Sequence, residues 1–401
     1  MAVAALFTAA CSGLAGAHIG EAGPAVRLAI APGNRSTNAR PDQGVTVTAA
    51  GGKVRSVTVS GPGHVSGALN PAGTVWRSNW ALQPASSYTV TATGVDSSGR
   101  TVTRRDSFRT LTPQVTLQTQ IFEGYRQTYG VGMPIILKFS HPVTGKAAVE
   151  RSLQLWTSKP VTGAWYWDGS SSVVFRPRTY WPQNTQVRFA GHLDGVRAAR
   201  GVYGTADLTQ SFRIGPSLIA VGSTRGHHLK VYYHGKLFAA WPASMGAPGD
   251  NTANGTYLTI EKQNPALMSG PGYHNFPVPY SVRFTFSGNY IHDAYWSVGQ
   301  QGFSNVSHGC VNLSPAHATT YYHMAVPGDP VTITGSPAAG KWDDGWTEWF
   351  LSWPQLLHGS ATGQAVEAGP SGSTFVDPAK LPQVSTTSPL QAPGPGNSQA
   401  G

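Results

Sequence analysis

Cysteine is nearly absent: Cys11 and Cys310 are the two in a chain of 401 residues. That count excludes a disulfide-built scaffold and the multi-cysteine zinc motifs. Charge is sparse as well, with Asp, Glu, Lys and Arg together at 11% of the chain. The 28 basic residues outnumber 18 acidic ones, leaving a net charge of +10. No Lys/Arg-dense run accompanies that excess, only pairs such as Arg104-Arg105, so no nucleic-acid groove is expected. A basic surface of this kind suits an anionic membrane or a cell-wall polymer. No segment beyond the N-terminus reaches the roughly 20 apolar residues that cross a bilayer as a helix.

Turn formers are plentiful instead, with 48 Gly and 30 Pro. Runs such as "VTVTAAGGKVRSVTVSG" and "SYTVTATGVDSSGRTVT" alternate β-branched or apolar residues with polar ones. This is the period of half-buried strands, and few stretches hold a helical period. The expected class is mainly β.

The N-terminal "MAVAALFTAACSGLAG" is a short apolar run ending in Thr-Ala-Ala-Cys. It resembles a bacterial lipoprotein signal in which Cys11 is the lipidated residue; a truncated secretory signal with an incidental cysteine is the alternative. Residues 1–41 are expected to be this signal and a flexible tether. Two β-rich blocks follow, 42–112 and 113–215, ending in the related "DSFRTLTP" and "QSFRIGPS". Trp76-Arg77 recurs as Phe175-Arg176 and Pro84 as Pro182, which predicts two repeated immunoglobulin-like sandwiches acting as spacers. Residues 216–335 carry strand-like runs and one expected helix, "SPAHATTYYHMAV", with Ser314 at the N-cap and Pro315 at its first position. Residues 336–358 hold Trp342, Trp346, Trp349 and Trp353 and read as a small aromatic cap packed on that third block. Residues 359–401, rich in Ser, Pro, Gly and Ala, are expected to be a disordered tail.

Exported on this reading, the chain keeps Cys310 without a disulfide partner. The residues around it give the thiol a use. A thiolate is the nucleophile and needs a nearby base or oriented N–H groups to lower its pKa. His308 lies two residues before the cysteine, and His292 ends the strand-like "FSGNYIH". Gly309 permits close approach of a substrate, the N–H groups of His308, Gly309 and Cys310 offer an oxyanion hole, and Asn312 supplies an amide. Proximity in sequence favours His308 as the base, but a residue two before the nucleophile in a tight turn often points elsewhere, which favours His292. Zinc held by His292, His308 and Cys310 is the rival use, unsupported by pair spacing or by nearby carboxylates. No role is assigned to His227, His228 or His317.

His292 and the run Ser307-His308-Gly309-Cys310-x-Asn312 resemble the signature of L,D-transpeptidases with a YkuD-type catalytic domain. "SGNYIHDAYWSVGQQGFSNVSHGCVNLSP", "SMGAPGDNTANGTYLTIE" and, in the second block, "VGMPIILKFSHPVTGKAAVERSL" and "RPRTYWP" resemble the multidomain actinobacterial members with N-terminal Ig-like domains. The likeness covers roughly residues 42–358. It implies a peptidoglycan enzyme of cell-wall organisation and cell shape, without a cofactor, in which Cys310 attacks a tetrapeptide stem, releases D-Ala and passes the acyl group to an acceptor amine as a 3→3 cross-link. Transfer to water or to a protein amine, or a non-catalytic wall-binding scaffold, are the alternatives. His292 maps to the base, oriented by the main-chain carbonyl of Asp293, where the family often has Ser; His308, Gly309 and Cys310 map to the oxyanion hole. Ser287, Gly288, Ser307 and Asn312 match donor-site positions, and Met268 a lid residue. The lid tyrosine is Tyr280 or Tyr273, with Tyr280 preferred. The resemblance also implies that carbapenem β-lactams acylate Cys310. Some members bind calcium in the second β domain, but "GVRAARGVYG" places Arg197 and Arg200 where acids are needed. The expected location is the cell envelope outside the cytoplasm, tethered through a lipid on Cys11.

Overall fold

The computed structural model describes residues 25–270 and 272–384; Cys11 lies outside them. Two compact units are formed, one from the described residues through Trp80 with Ala85–Leu111, the other from Ala81–Pro84 and Thr112 onward. The first is a two-sheet β domain. One sheet orders Arg27–Ala31, Thr46–Ala50, Val75–Ser78 and Gly67–Leu69, the other Lys53–Ser60, Ser87–Val95 and Thr101–Arg109. The alternation seen in sequence places Val47, Tyr88, Val90, Ala92 and Phe108 inside. The domain starts earlier than expected. Arg27–Ala31 pairs antiparallel with Thr46–Ala50, and Leu28 and Ile30 are buried, so these residues are a strand and not tether.

The second unit contains a second β sandwich and a third β-rich block. Its larger sheet orders Gly372–Val376, Ala365–Gly369, Val161–Asp168, Ser172–Pro177, Ile135–Phe139 and Thr119–Ile121. The C-terminal part of the chain therefore does not begin as a disordered tail at Gly359. Ala365, Val366 and Ala368 are buried as a strand paired with Val161–Asp168. The carboxylate of Glu150 fixes the approach, accepting from Ser360 Oγ, Ala361 N and Thr362 N. Small side chains and backbone pairing suffice here, and a count of large apolar residues misses them.

The tryptophan segment also departs from expectation. Trp346 and Trp349 enter the core of the second sandwich and do not merely cap the third block. Trp349 Nε1 donates to Gly132 O at 2.7 Å, its ring meets Tyr180 edge-on at 4.4 Å, and the Arg176 guanidinium lies 4.5 Å above it. Phe350, next in sequence, packs on Tyr257 of the third block at 5.2 Å. The segment is a wedge shared by both domains, so the second β domain is no detached spacer.

Two carboxyl groups are buried at this junction. Burial, reinforced by the charge of nearby Glu348, pushes Glu123 up to about 8; burial pushes Glu348 to about 7, opposed by Arg176. A carboxyl whose folded pKa exceeds its ordinary 4.5 holds its proton longer in the native state. Stability is then full below that ordinary value and is lost as pH rises through the folded one. The melting temperature of the wild type is expected to fall relative to Glu123→Gln between about pH 5 and pH 9. An unchanged difference across that range contradicts a protonated Glu123.

In the third block, Leu218–Ser223 is central to a sheet ordered Lys236–Pro242, His228–Tyr233, Leu218–Ser223, Pro330–Thr334 and Gly255–Leu258. A second sheet orders Glu261–Gln263, Ser281–Arg283, Tyr290–Asp293 and Val311–Leu313. Between the two, Leu229, Val231, Val282, Ile291, Val311 and Val331 form one core. The expected helix is Pro315–Met324, with Ser314 at the N-cap but without a side-chain capping bond; Ala318 and Tyr321 face the core. A hairpin, Ala266–Gly270 with Tyr273–Val278, stands off the sheets near their ends.

Candidate active site

The last two strands of the smaller sheet, Tyr290–Asp293 and Val311–Leu313, run parallel, with His292 opposite Asn312. Cys310 immediately precedes the second strand, so the pairing brings the thiol beside the residues leading to His292. Its Sγ lies 3.9 Å from Gly288 O and receives the Tyr290 N–H. The turn that presents it is tightly made. Ser307 Oγ donates to Cys310 O at 2.6 Å and accepts from Gly309 N at 3.2 Å. Gly309 has φ +115, and a Cβ there would sit 3.1 Å from Asn289 Oδ1, so glycine is required. Thr252 Oγ1 donates to Gly309 O at 2.8 Å while accepting from Gly246 N, which ties the turn to the body of the domain. Of the three N–H groups expected at an oxyanion, that of Gly309 is thus engaged within the turn.

His292 is buried. Its Nδ1 lies 2.7 Å from the Asp293 main-chain carbonyl. A carbonyl only accepts, so Nδ1 carries the proton and Nε2 is left as the basic nitrogen. The ring also lies on Trp296, with centroids 5.9 Å apart and planes 28° from parallel. Asp293 is buried and its carboxyl is pushed up by desolvation; the bond to His292 comes from its backbone, which any residue would supply. Asn312 Nδ2 donates to Ser297 Oγ at 2.9 Å, joining the strand after the nucleophile to the turn after the histidine.

Burial sets the resting protonation. It pushes the Cys310 thiol up to about 11, partly offset by the Tyr290 N–H, and pulls His292 down to about 4 against its bond to Asp293 O. The expectation of a thiol pKa lowered by its neighbours is therefore not met: burial outweighs the Tyr290 N–H. A low-dielectric pocket penalises both members of a thiolate–imidazolium pair, so both rest neutral and the proton must move as the thiol attacks. Iodoacetamide labelling of Cys310 is accordingly expected to be slow at neutral pH and to rise roughly tenfold per pH unit toward alkaline pH. A plateau reached by about pH 8 contradicts a neutral resting pair.

The remaining site residues divide. Ser287 and Gly288 are on the loop facing the thiol, Gly288 at φ +103. His308 is exposed, its ring 5.6 Å from that of Tyr273. Of the two candidate tyrosines, Tyr273 is the one that comes near the nucleophile: burial and the neighbouring Cys310 both raise its hydroxyl pKa. Tyr280, preferred from sequence, has its ring 5.6 Å from Tyr322 and 6.2 Å from His323, because positive φ at Tyr280 turns it onto the helix. Met268 is on the lid hairpin opposite Phe276, whose ring meets Trp296 at 5.3 Å. Sequence reasoning missed Thr252, Asn289, Trp296, Ser297 and Asp344. Asn289, Trp296 and Ser297 lie in the stretch quoted around the motif and Thr252 in the one upstream of it; of the five, only Asp344 lies outside both.

A buried histidine with a fixed tautomer on one strand and a cysteine just before the parallel strand paired with it supply the two residue types of a cysteine–histidine acyl-transfer site. Residues 216–333 match the L,D-transpeptidase catalytic domain family, and residues 36–197, spanning both N-terminal β blocks, match the bacterial Ig domain family. L,D-transpeptidase 2 of Mycobacterium tuberculosis is 32% identical over 327 residues, 77% of this chain and 80% of that protein. L,D-transpeptidase 5 of the same species is 32% identical over 353 residues, 84% and 78% of the two chains. An LD transpeptidase solved in complex with imipenem is 34% identical with a TM-score of 0.47, covering 55% of this chain and all of that one. The chain belongs to the L,D-transpeptidase family, enzymes that act on peptidoglycan.

Proposed function

We propose that this chain forms 3→3 cross-links between peptidoglycan stems through a thioester on Cys310. The observation that carries the proposal is the His292 Nδ1 bond to Asp293 O, which leaves Nε2 free to take the thiol proton. Cys310 Sγ attacks the carbonyl between the third residue of a tetrapeptide stem and the terminal D-Ala, and His292 takes the thiol proton as the C–S bond forms. The tetrahedral oxyanion is met by the main-chain N–H groups of His308 and Cys310, that of Gly309 being taken up by Ser307 Oγ. Collapse breaks the C–N bond, and His292 returns its proton to the departing D-Ala amine. An acceptor side-chain amine then attacks the thioester, losing a proton to His292 and restoring the thiol. A strained β-lactam carbonyl is a surrogate for the donor amide, so carbapenems are expected to acylate the same sulfur.

The reading places the protein outside the cytoplasm, facing the wall and tethered through Cys11. Incubation of the purified chain with disaccharide tetrapeptides tests the reaction: release of D-Ala with a cross-linked dimer supports it. Tripeptide and free D-Ala without dimer would assign an L,D-carboxypeptidase instead, and unchanged tetrapeptide would leave a wall-binding scaffold.

A further inference from the structure

The donor-site loop is clasped by a carboxylate from the tryptophan wedge. Asp344 Oδ1 accepts from Ser287 N at 2.6 Å and Oδ2 from Ser287 Oγ at 2.7 Å. Gly345, at φ +128, lets this turn rest on the loop, since a Cβ there would approach Phe284 O to 3.1 Å. Beneath Ser287, Thr285 Oγ1 lies 3.1 Å from Ser287 Oγ and accepts from Asn289 N at 2.8 Å.

The direction of this chain is fixed at its carboxylate end. A backbone N–H only donates and a carboxylate only accepts. The single Ser287 proton goes to the Asp344 carboxylate, so the bond between the two hydroxyls is made by the Thr285 proton, while Thr285 Oγ1 accepts from Asn289 N. The exposed Ser287 hydroxyl has one lone pair left for a ligand and no proton. We infer that Asp344 is a positioning residue that makes Ser287 an obligate hydrogen-bond acceptor, so that the donor site takes an N–H group of the stem peptide at this position and disfavours a carbonyl or carboxylate. The inference rests on the proposed use of this loop for the donor stem. It also gives the wedge a part in recognition, because Trp346 and Trp349, which follow Asp344, are anchored in the second β domain.

Asparagine at 344 inverts the polarity. Its amide oxygen can still accept from Ser287 N, but its NH2 then donates to Ser287 Oγ and turns the serine proton outward. The test is calorimetric binding of a synthetic tetrapeptide stem, with a diamino acid third and D-Ala last, to the full chain carrying Cys310→Ala. Asp344→Asn is expected to weaken binding about tenfold and Ser287→Ala about fivefold. In the Ser287→Ala background, Asp344→Asn should change affinity less than about twofold, since no hydroxyl remains to be inverted. A merely structural role predicts the same loss in both backgrounds, and that result, or unchanged affinity in Asp344→Asn, overturns the inference. Stem that binds Cys310→Ala but is not turned over by the wild type defeats the proposed reaction and leaves the relay standing. No binding to Cys310→Ala overturns both.

Discussion

Replacing Cys310 with alanine is expected to abolish release of D-Ala from tetrapeptide stems and to remove any covalent adduct with a carbapenem. The loss should be complete within assay limits, because removing a nucleophile typically costs on the order of a millionfold. No neighbour can substitute. Ser307 Oγ is committed to Cys310 O and Gly309 N, and His308 lies against Tyr273. The fold should be little disturbed, since the sulfur's packing amounts to one small group and a long contact to Gly288 O. Residual D-Ala release with unchanged kinetics would place the nucleophile elsewhere.

His292→Gln is expected to slow acylation by about a hundredfold to ten-thousandfold, the range supplied by a positioned general base. It should also change the pH profile. His292 is pulled down to about 4 by burial, and a protonated ring cannot accept the thiol proton. The wild-type rate should therefore hold steady on the acid side until pH approaches about 4, below the ordinary imidazole value of 6.5. In His292→Gln this acid limb disappears, and the rate instead rises with pH as thiolate forms without assistance. An acid limb centred at or above 6.5 in the wild type would contradict a desolvated base, and His308→Gln would then be the informative variant. A polar substitution at Trp296, which covers one face of the His292 ring, should move the limb upward by admitting water.

The chemistry was more legible in the sequence than the environment that tunes it. Alternating strands, the lone thiol and the choice between His292 and His308 could be argued from residue order, because strand period and nucleophile chemistry are local properties. The rise in the Cys310 pKa could not, since it comes from desolvation by neighbours distant in the chain. The choice between Tyr280 and Tyr273 turns on the path of the hairpin, which positive φ at positions such as Asn275 and Tyr280 helps to set and residue order does not display. The strand Ala365–Gly369 escaped notice because its buried side chains are mostly alanine, and its anchor is Glu150, more than two hundred residues earlier. Asp344 left no signal at all. It lies amid tryptophans that read as packing, and only the folded chain brings its carboxylate to Ser287.

The most direct test of Cys310 as an acyl carrier for peptidoglycan stems is mass spectrometry of the wild type quenched during turnover of a disaccharide tetrapeptide. The account predicts a protein mass increased by the stem lacking D-Ala, mapped to the peptide containing Cys310 and lost on treatment with hydroxylamine, together with a dimer joined between two third-position residues. Turnover of the stem by a protein that never gains mass, or gains it on a residue other than Cys310, would contradict it.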